Sequence, residues 1–233
     1  VFGYSITPIT VLPEINVQDD QHSFSPELVE AVDKLWAKAS ASNRELHDGR
    51  VFAVESVDVD LIVGSWLPYR FFYASNKDAA LAPRLPIFPL AVTGICHTVD
   101  YKILLGRRNL YSTQSPGDWD ILPAGSVDLS IEGSTSPDVA TQLMSEMREE
   151  VGNVEIESVT LQYFARQPNS GPVDLVYLIK LASNDTEVTL SYSDEHTELL
   201  FFDLRDSFPD GLAKSAAAIL EMVRATNDSN QIV

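Results

Sequence analysis

Glu146, Glu149 and Glu150 are the residues whose type and spacing are best suited to chemistry. If the segment from Ser136 to about Val151 is helical, positions i, i+3 and i+4 share a face and the three carboxylates project together. Ala140, Met144, Met147 and Val151 then form a separate apolar stripe that docks the helix and leaves the glutamates in an open groove. Carboxylates gathered in one groove repel one another unless a cation neutralises them. A hard divalent ion, Mg²⁺ or Mn²⁺, is the natural partner because it prefers oxygen ligands and keeps several waters. The competing reading is a solvated acidic face, which a chain with 34 acidic residues can produce by chance.

A second feature favours chemistry. About twenty residues upstream lies a Trp-x-x-x-Pro-Ala-Gly turn, Trp119 to Gly125. Together the turn and the glutamate run resemble the signature of the Nudix hydrolases. That signature joins a glycine and a first glutamate to a helical Arg-Glu-hydrophobic-x-Glu-Glu-x-Gly-hydrophobic run. Gly125 matches the first glycine, and Glu146, Met147, Glu149, Glu150 and Gly152 match the helical half. Ile103 to Arg108 resembles the strand before the box. Glu195-His196-Thr197-Glu198 resembles a run found ahead of a late aromatic strand. Three departures stand out: Ser145 replaces the arginine, Asn153 replaces the last hydrophobic residue, and the spacer is six residues longer. Glu132 is the nearest stand-in for the first glutamate.

The resemblance implies an α/β fold, a Nudix-type α/β/α sandwich with a mixed sheet. It implies hydrolysis of a nucleoside diphosphate derivative at its pyrophosphate, with Mg²⁺ or Mn²⁺ as cofactor. Glu149 and Glu150 would be the principal metal ligands and Glu146 the third, with main chain at Ala124–Gly125 completing the shell. Glu195 would be the base or an extra ligand. Arg107, Arg108 and Arg166 would clamp phosphates, and Trp119 would stack on a base; each has a plainer reading as a surface arginine or a turn anchor. Asp128 would brace the glycine turn. Tyr69, Phe71 and Phe72 would line a base pocket or fill a core. The missing arginine, the longer spacer and the Leu46–Phe52 run also resemble the UDP-glucose/UDP-galactose diphosphatase branch. An ADP-ribose pyrophosphatase and a catalytically silent ligand-binding protein of the same fold are the alternatives.

The rest of the chain must position these residues. Ser25-Pro26-Glu27 opens a helix to about residue 40, with Ser as cap and Pro in the first turn. Val51 to Val63 reads as one or two strands and Leu67 to Ala74 as an aromatic-rich strand. Residues 1–22 read as irregular or extended. Residues 1–85 thus form an N-terminal helix-and-strand extension, and 86–233 the catalytic domain. In that second part, strands are expected at Leu90–His97, Lys102–Arg107, Val154–Arg166, Val173–Leu181 and Phe201–Leu204. Ser136-Pro137 caps the glutamate helix, Gly152 ends it, and Leu212–Arg224 is a closing helix.

A net charge of −18 excludes the basic footprint that nucleic-acid binding needs and disfavours anionic membrane surfaces. No apolar run approaches a membrane span. The only cysteine, Cys96, cannot form an internal disulfide and sits in an apolar run as a small hydrophobe. A reducing, cytoplasmic compartment is expected, although the chain begins at Val1 without Met. The expected partner is a small nucleotide derivative, with a homodimer as a further possibility.

Overall fold

A computed structural model describes residues 3–19, 22–43, 46–129, 136–167, 171–190 and 193–230, the last four through their backbone only. Glu132 lies outside the described residues. The architecture is α/β. A mixed sheet is built from β1 (Ser5–Pro8), β5 (Leu90–His97), β6 (Lys102–Arg108), β9 (Ile156–Arg166), β10 (Val173–Leu181) and β11 (His196–Asp203), in the order β1-β9-β10-β5-β6-β11. The pairing of β10 with β5 is parallel, and the other pairings on this path are antiparallel.

One irregularity of the sheet makes the site. β5 and β6 pair only at His97 and Ile103 and then diverge. Two short strands fill the opening: β7 (Trp119–Ile121) pairs with β6, and β8 (Ala124–Ser126) pairs with β5. The chain turns between them through Leu122 and a cis Pro123. The expected Trp-to-Gly turn is therefore a wedge between two parted strands.

Helices cover both faces, as expected. α3 (Val139–Glu146) places Val139 and Leu143 with Met147 in one core cluster, against Leu90, Val92 and Leu175. Leu143 and Met147 are almost fully buried, each stabilising by roughly 1.5–3 kcal/mol. α4 (Lys214–Asn230) buries Ala216, Ile219 and Leu220 on the opposite face, against Ile95, Ile121 and Val176.

The amino-terminal region differs from expectation in two ways. β1 pairs with β9, so Ser5–Pro8 join the main sheet. β2 (Glu14–Val17), β3 (Arg50–Val57) and β4 (Leu61–Pro68) form a second sheet in the order β2-β4-β3, packed with α1 (Pro26–Ser42). The aromatic run after Leu67 continues as helix α2 (Tyr69–Lys77) and not as strand. Helical spacing lets Phe71, Phe72 and Ala74 enter one core with Leu28 and Val32. Aromatic β-propensity loses to that burial. The β3 edge is bound to the main body where Phe52 N donates to Val127 O at 3.2 Å and Val54 N to Phe88 O at 2.8 Å.

Candidate active site

The glutamate helix changes pitch where its chemistry begins. Asp138, and not Ser136, caps α3, its carboxylate accepting from Thr141 N at 3.0 Å. Residues Met147–Val151 then form a π-turn, closed by Gly152 N donating to Met147 O at 3.0 Å. A π-turn takes more residues per turn than the 3.6 of an α-helix. Relative to Glu146, this keeps Glu150 close and swings Glu149 away. The three-carboxylate face expected from α-helical spacing is accordingly split.

Glu150 is 1% exposed, and its Oε2 accepts from Ala124 N at 2.7 Å. Its Oε1 is buried with no hydrogen-bond partner, 3.8 Å from the equally unpartnered Nε2 of buried His196. Burial, and then the charge of Arg108, lower the His196 pKa to about 4, so the ring is neutral at pH 7. Burial raises the Glu150 carboxyl well above the usual range, and Glu146 and Glu195 push it the same way. Glu146 lies in the notch left by Gly125, where a Cβ would collide with its carboxylate. Its pKa rises to about 7, through burial first and then the charges of Glu195, Glu149 and Asp128. Glu149 is exposed, and its carboxylate accepts from Ser145 Oγ at 2.9 Å.

Gln142 is a residue that sequence reasoning missed. Its Nε2 donates to Glu146 Oε1 at 2.7 Å, and its Oε1 accepts from Asp128 N at 3.4 Å. It ties Glu146 to Asp128, just beyond β8, in a chain where Ser145 replaces the signature arginine. The signal was available, because Gln142 stands four residues before Glu146 on one helix face. Asp128 contributes its backbone to this brace.

A cavity of about 580 Å³ opens beside Glu146, Glu195 and Gly125. Of the three expected phosphate clamps, only Arg108 lines it. Arg108 Nε donates to Gln114 O at 3.0 Å, and its guanidinium lies 3.5 Å from Asp120. Arg107 points outward to Glu198 at 3.3 Å and lies over the Trp119 ring at 5.9 Å. Arg166 packs over Phe88 at 5.1 Å. Trp119 anchors the wedge: its N donates to Gly211 O and its O accepts from Ala213 N, while the ring packs against the α4 core. Tyr69 reaches the cavity wall, where its hydroxyl lies 3.0 Å from Thr113 Oγ1. Phe71 and Phe72 are core residues. Thr93, Asp120, Asp174 and Tyr4 also line the cavity and were not expected. Asp174 had a legible signal, a lone acid between the fully buried Val173 and Leu175.

Among the described residues, no three His, Cys, Asp or Glu side chains converge as a ready metal cage. The donor chemistry nevertheless suits Mg²⁺ or Mn²⁺. Such ions are held by one or two carboxylates, with waters and substrate phosphates completing the shell. The unpartnered Oε1 of Glu150 and the Glu146 carboxylate in the Gly125 notch supply two all-oxygen donors.

No family model matches the chain, and no curated protein sequence matches it significantly. Solved structures do. A MutT protein from Methanosarcina mazei Go1 is 20% identical over 59% of this chain and 94% of its own, with a TM-score of 0.42. A MutT NUDIX hydrolase from Burkholderia pseudomallei is 25% identical over 57% of this chain and 96% of its own, with a TM-score of 0.40. A bifunctional NMN adenylyltransferase/ADP ribose pyrophosphatase from Francisella tularensis, solved with AMP and a manganese ion, is 14% identical over 66% of this chain and 46% of its own, with a TM-score of 0.46. Among the described residues, no helix is long and apolar enough to cross a membrane.

Proposed function

We propose that this protein hydrolyses the pyrophosphate bond of a nucleoside diphosphate derivative with the help of a divalent cation. One observation carries the reading. Glu146 and Glu150, both pushed toward the protonated form by burial, meet at a glycine turn on the edge of a cavity that also holds Arg108. Carboxylates are costly in that setting, and a cation relieves the cost.

Glu146 and Glu150 hold the cation in this reading, with main chain at Gly125 beside them. Glu149 is the third carboxylate of the set, near enough for its charge to act on Glu146. When bound, the cation neutralises charge that builds on the pyrophosphate and orients the attacking water. Arg108 binds a phosphate oxygen from the cavity wall. Glu195, which lines the cavity, is the base that takes the proton from water. Gln142 keeps Glu146 in place. A nucleotide sugar of the UDP type is the favoured substrate, on the sequence resemblance, and ADP-ribose is the second reading.

Product analysis with Mg²⁺ and with Mn²⁺ tests this, using UDP-glucose, UDP-galactose, ADP-ribose, GDP-mannose and NADH. Release of a nucleoside monophosphate is expected, and it is expected to vanish on chelation of the metal. Glu150→Gln keeps the acceptor for Ala124 N and is expected to lose nearly all turnover without losing metal-free stability. Glu149→Gln is expected to lose less. Full turnover in Glu150→Gln, or no product from any compound, sinks the assignment.

A further inference from the structure

The cavity extends past the glutamates onto the α4 side of the sheet, where the proposed hydrolysis makes no use of its lining. Asp174 of β10 stands there and is 6% exposed. Its Oδ1 accepts from Thr93 Oγ1 at 3.1 Å, while its Oδ2 has no hydrogen-bond partner among the described residues and opens on the cavity. The register explains the placement. Asp174 pairs with Ala91, Ala91 pairs with Ser126, and Thr93 pairs with Ala124, so Asp174 lies two strands from the glycine wedge. Tyr4 lines the same cavity, and the charge of Asp174 helps to raise the Tyr4 pKa after burial. Asp120 is close enough that its charge acts on Asp174.

A carboxyl group held almost fully buried at a cavity wall costs the fold free energy. An apolar residue or a fully bonded amide would serve the fold better at this position. The group that completes its hydrogen bonding comes from outside the chain, water in the free protein and a ligand group when one is bound. Its chemistry is constrained by the neighbours. The two aspartate carboxyl groups disfavour a phosphate and suit an uncharged group rich in N–H or O–H donors. Nucleobase edges and sugar diols both carry such donors. The cationic parts of the cavity, Arg108 and Lys214, are left for phosphate.

We propose that Asp174, positioned by Thr93, is the specificity residue of the cavity and binds the uncharged, donor-bearing part of the substrate, base or sugar. The proposal rests on the pyrophosphatase reading for the whole substrate, but its own test does not require turnover. The full chain is titrated by NMR with adenosine, inosine, cytidine, uridine and methyl glucoside, and separately with inorganic pyrophosphate plus Mg²⁺. At least one uncharged probe is expected to bind, and whether it is a nucleoside or the glucoside identifies the source of the donors. Asp174→Ala is expected to weaken that probe at least tenfold while pyrophosphate–Mg²⁺ binding stays within twofold. Thr93→Val, which leaves the carboxylate but frees its rotation, is expected to give a smaller loss. Asp174→Asn is expected to remain folded, which guards against loss of binding through unfolding. Failure of every uncharged probe to bind the wild type, or equal binding by wild type and Asp174→Ala, overturns the proposal. Loss of pyrophosphate–Mg²⁺ binding alone would instead count against the metal reading, with Asp174-dependent probe binding still supporting this one.

Discussion

Gly125→Ala separates the chemistry of the glutamate site from the stability of the fold. A methyl group built on Gly125 lands on the Glu146 carboxylate. The backbone itself accepts alanine, because Gly125 is not among the positive-φ residues. Replacing glycine there stabilises by about 0.4–1 kcal/mol through the unfolded chain. Glu146 is the part that yields, since its carboxylate is the end of a flexible side chain. Restoring ordinary contact moves that carboxylate by roughly 1 Å or more, and a misplacement of that size costs about 10²-fold in rate. At about 1.36 kcal/mol per tenfold, the transition state loses about 2.7 kcal/mol. The hydrogen bond from Gln142, at 2.7 Å, is also lost, a net cost of about 1 kcal/mol. The release of a buried carboxylate to water offsets part of it. Net stability thus changes by less than about 1 kcal/mol, or roughly 2–4 °C in Tm for a chain of this size. The assay pairs turnover of the best substrate in Mg²⁺ with Mn²⁺ affinity by electron paramagnetic resonance and a metal-free thermal melt. Turnover and Mn²⁺ affinity are expected to fall together while Tm holds. Unchanged turnover and affinity would refute the role of Glu146. A collapse of Tm would show that Glu146 is seated in the notch for structural reasons.

Three further outcomes are expected. Arg108→Ala raises KM about 10- to 100-fold, the range of a lost charge-assisted hydrogen bond, whereas Arg107→Ala stays within about twofold because Arg107 faces Glu198 and Trp119; steady-state kinetics distinguish the two. Gln142→Leu lowers kcat roughly tenfold by freeing Glu146, with little change in KM, and equal kinetics in the variant would remove Gln142 as the brace. Asp174 sets a pH dependence: its folded-state pKa is raised to about 7, chiefly by burial, so the folded chain keeps a proton that the unfolded chain loses near pH 4. Stability from this group is greatest below that pH and declines by roughly a few kcal/mol as pH rises toward 7. Asp174→Asn flattens that part of a thermal-melt pH series, and an unchanged slope would refute the assignment.

Much of the frame was legible because local patterns are strong. The Ser-Pro-Glu start placed α1, the continuous apolar run placed β10 at Val173–Leu181, and the glycine stop placed the end of the glutamate helix at Gly152. The aromatic run after Leu67 misled, because its residues favour strands in isolation and only the core with Leu28 and Val32 makes helix α2 the better burial. β1 was invisible for a similar reason. Four residues gain strand identity only from the β9 edge beside them.

For the site, the sequence by itself determined the carboxylates, the glycine turn and the absence of the expected arginine, since these are matters of residue type and order. The tertiary structure decided which of them meet. A change of helical pitch at Met147 turns Glu149 outward and leaves Glu146 and Glu150 at the wedge. Parting of β5 from β6 opens the cavity, and the parallel register of β10 on β5 brings Asp174 beside Thr93, 81 positions away in the chain. Contacts of that span arise from strand register and burial, which no local run of residues encodes.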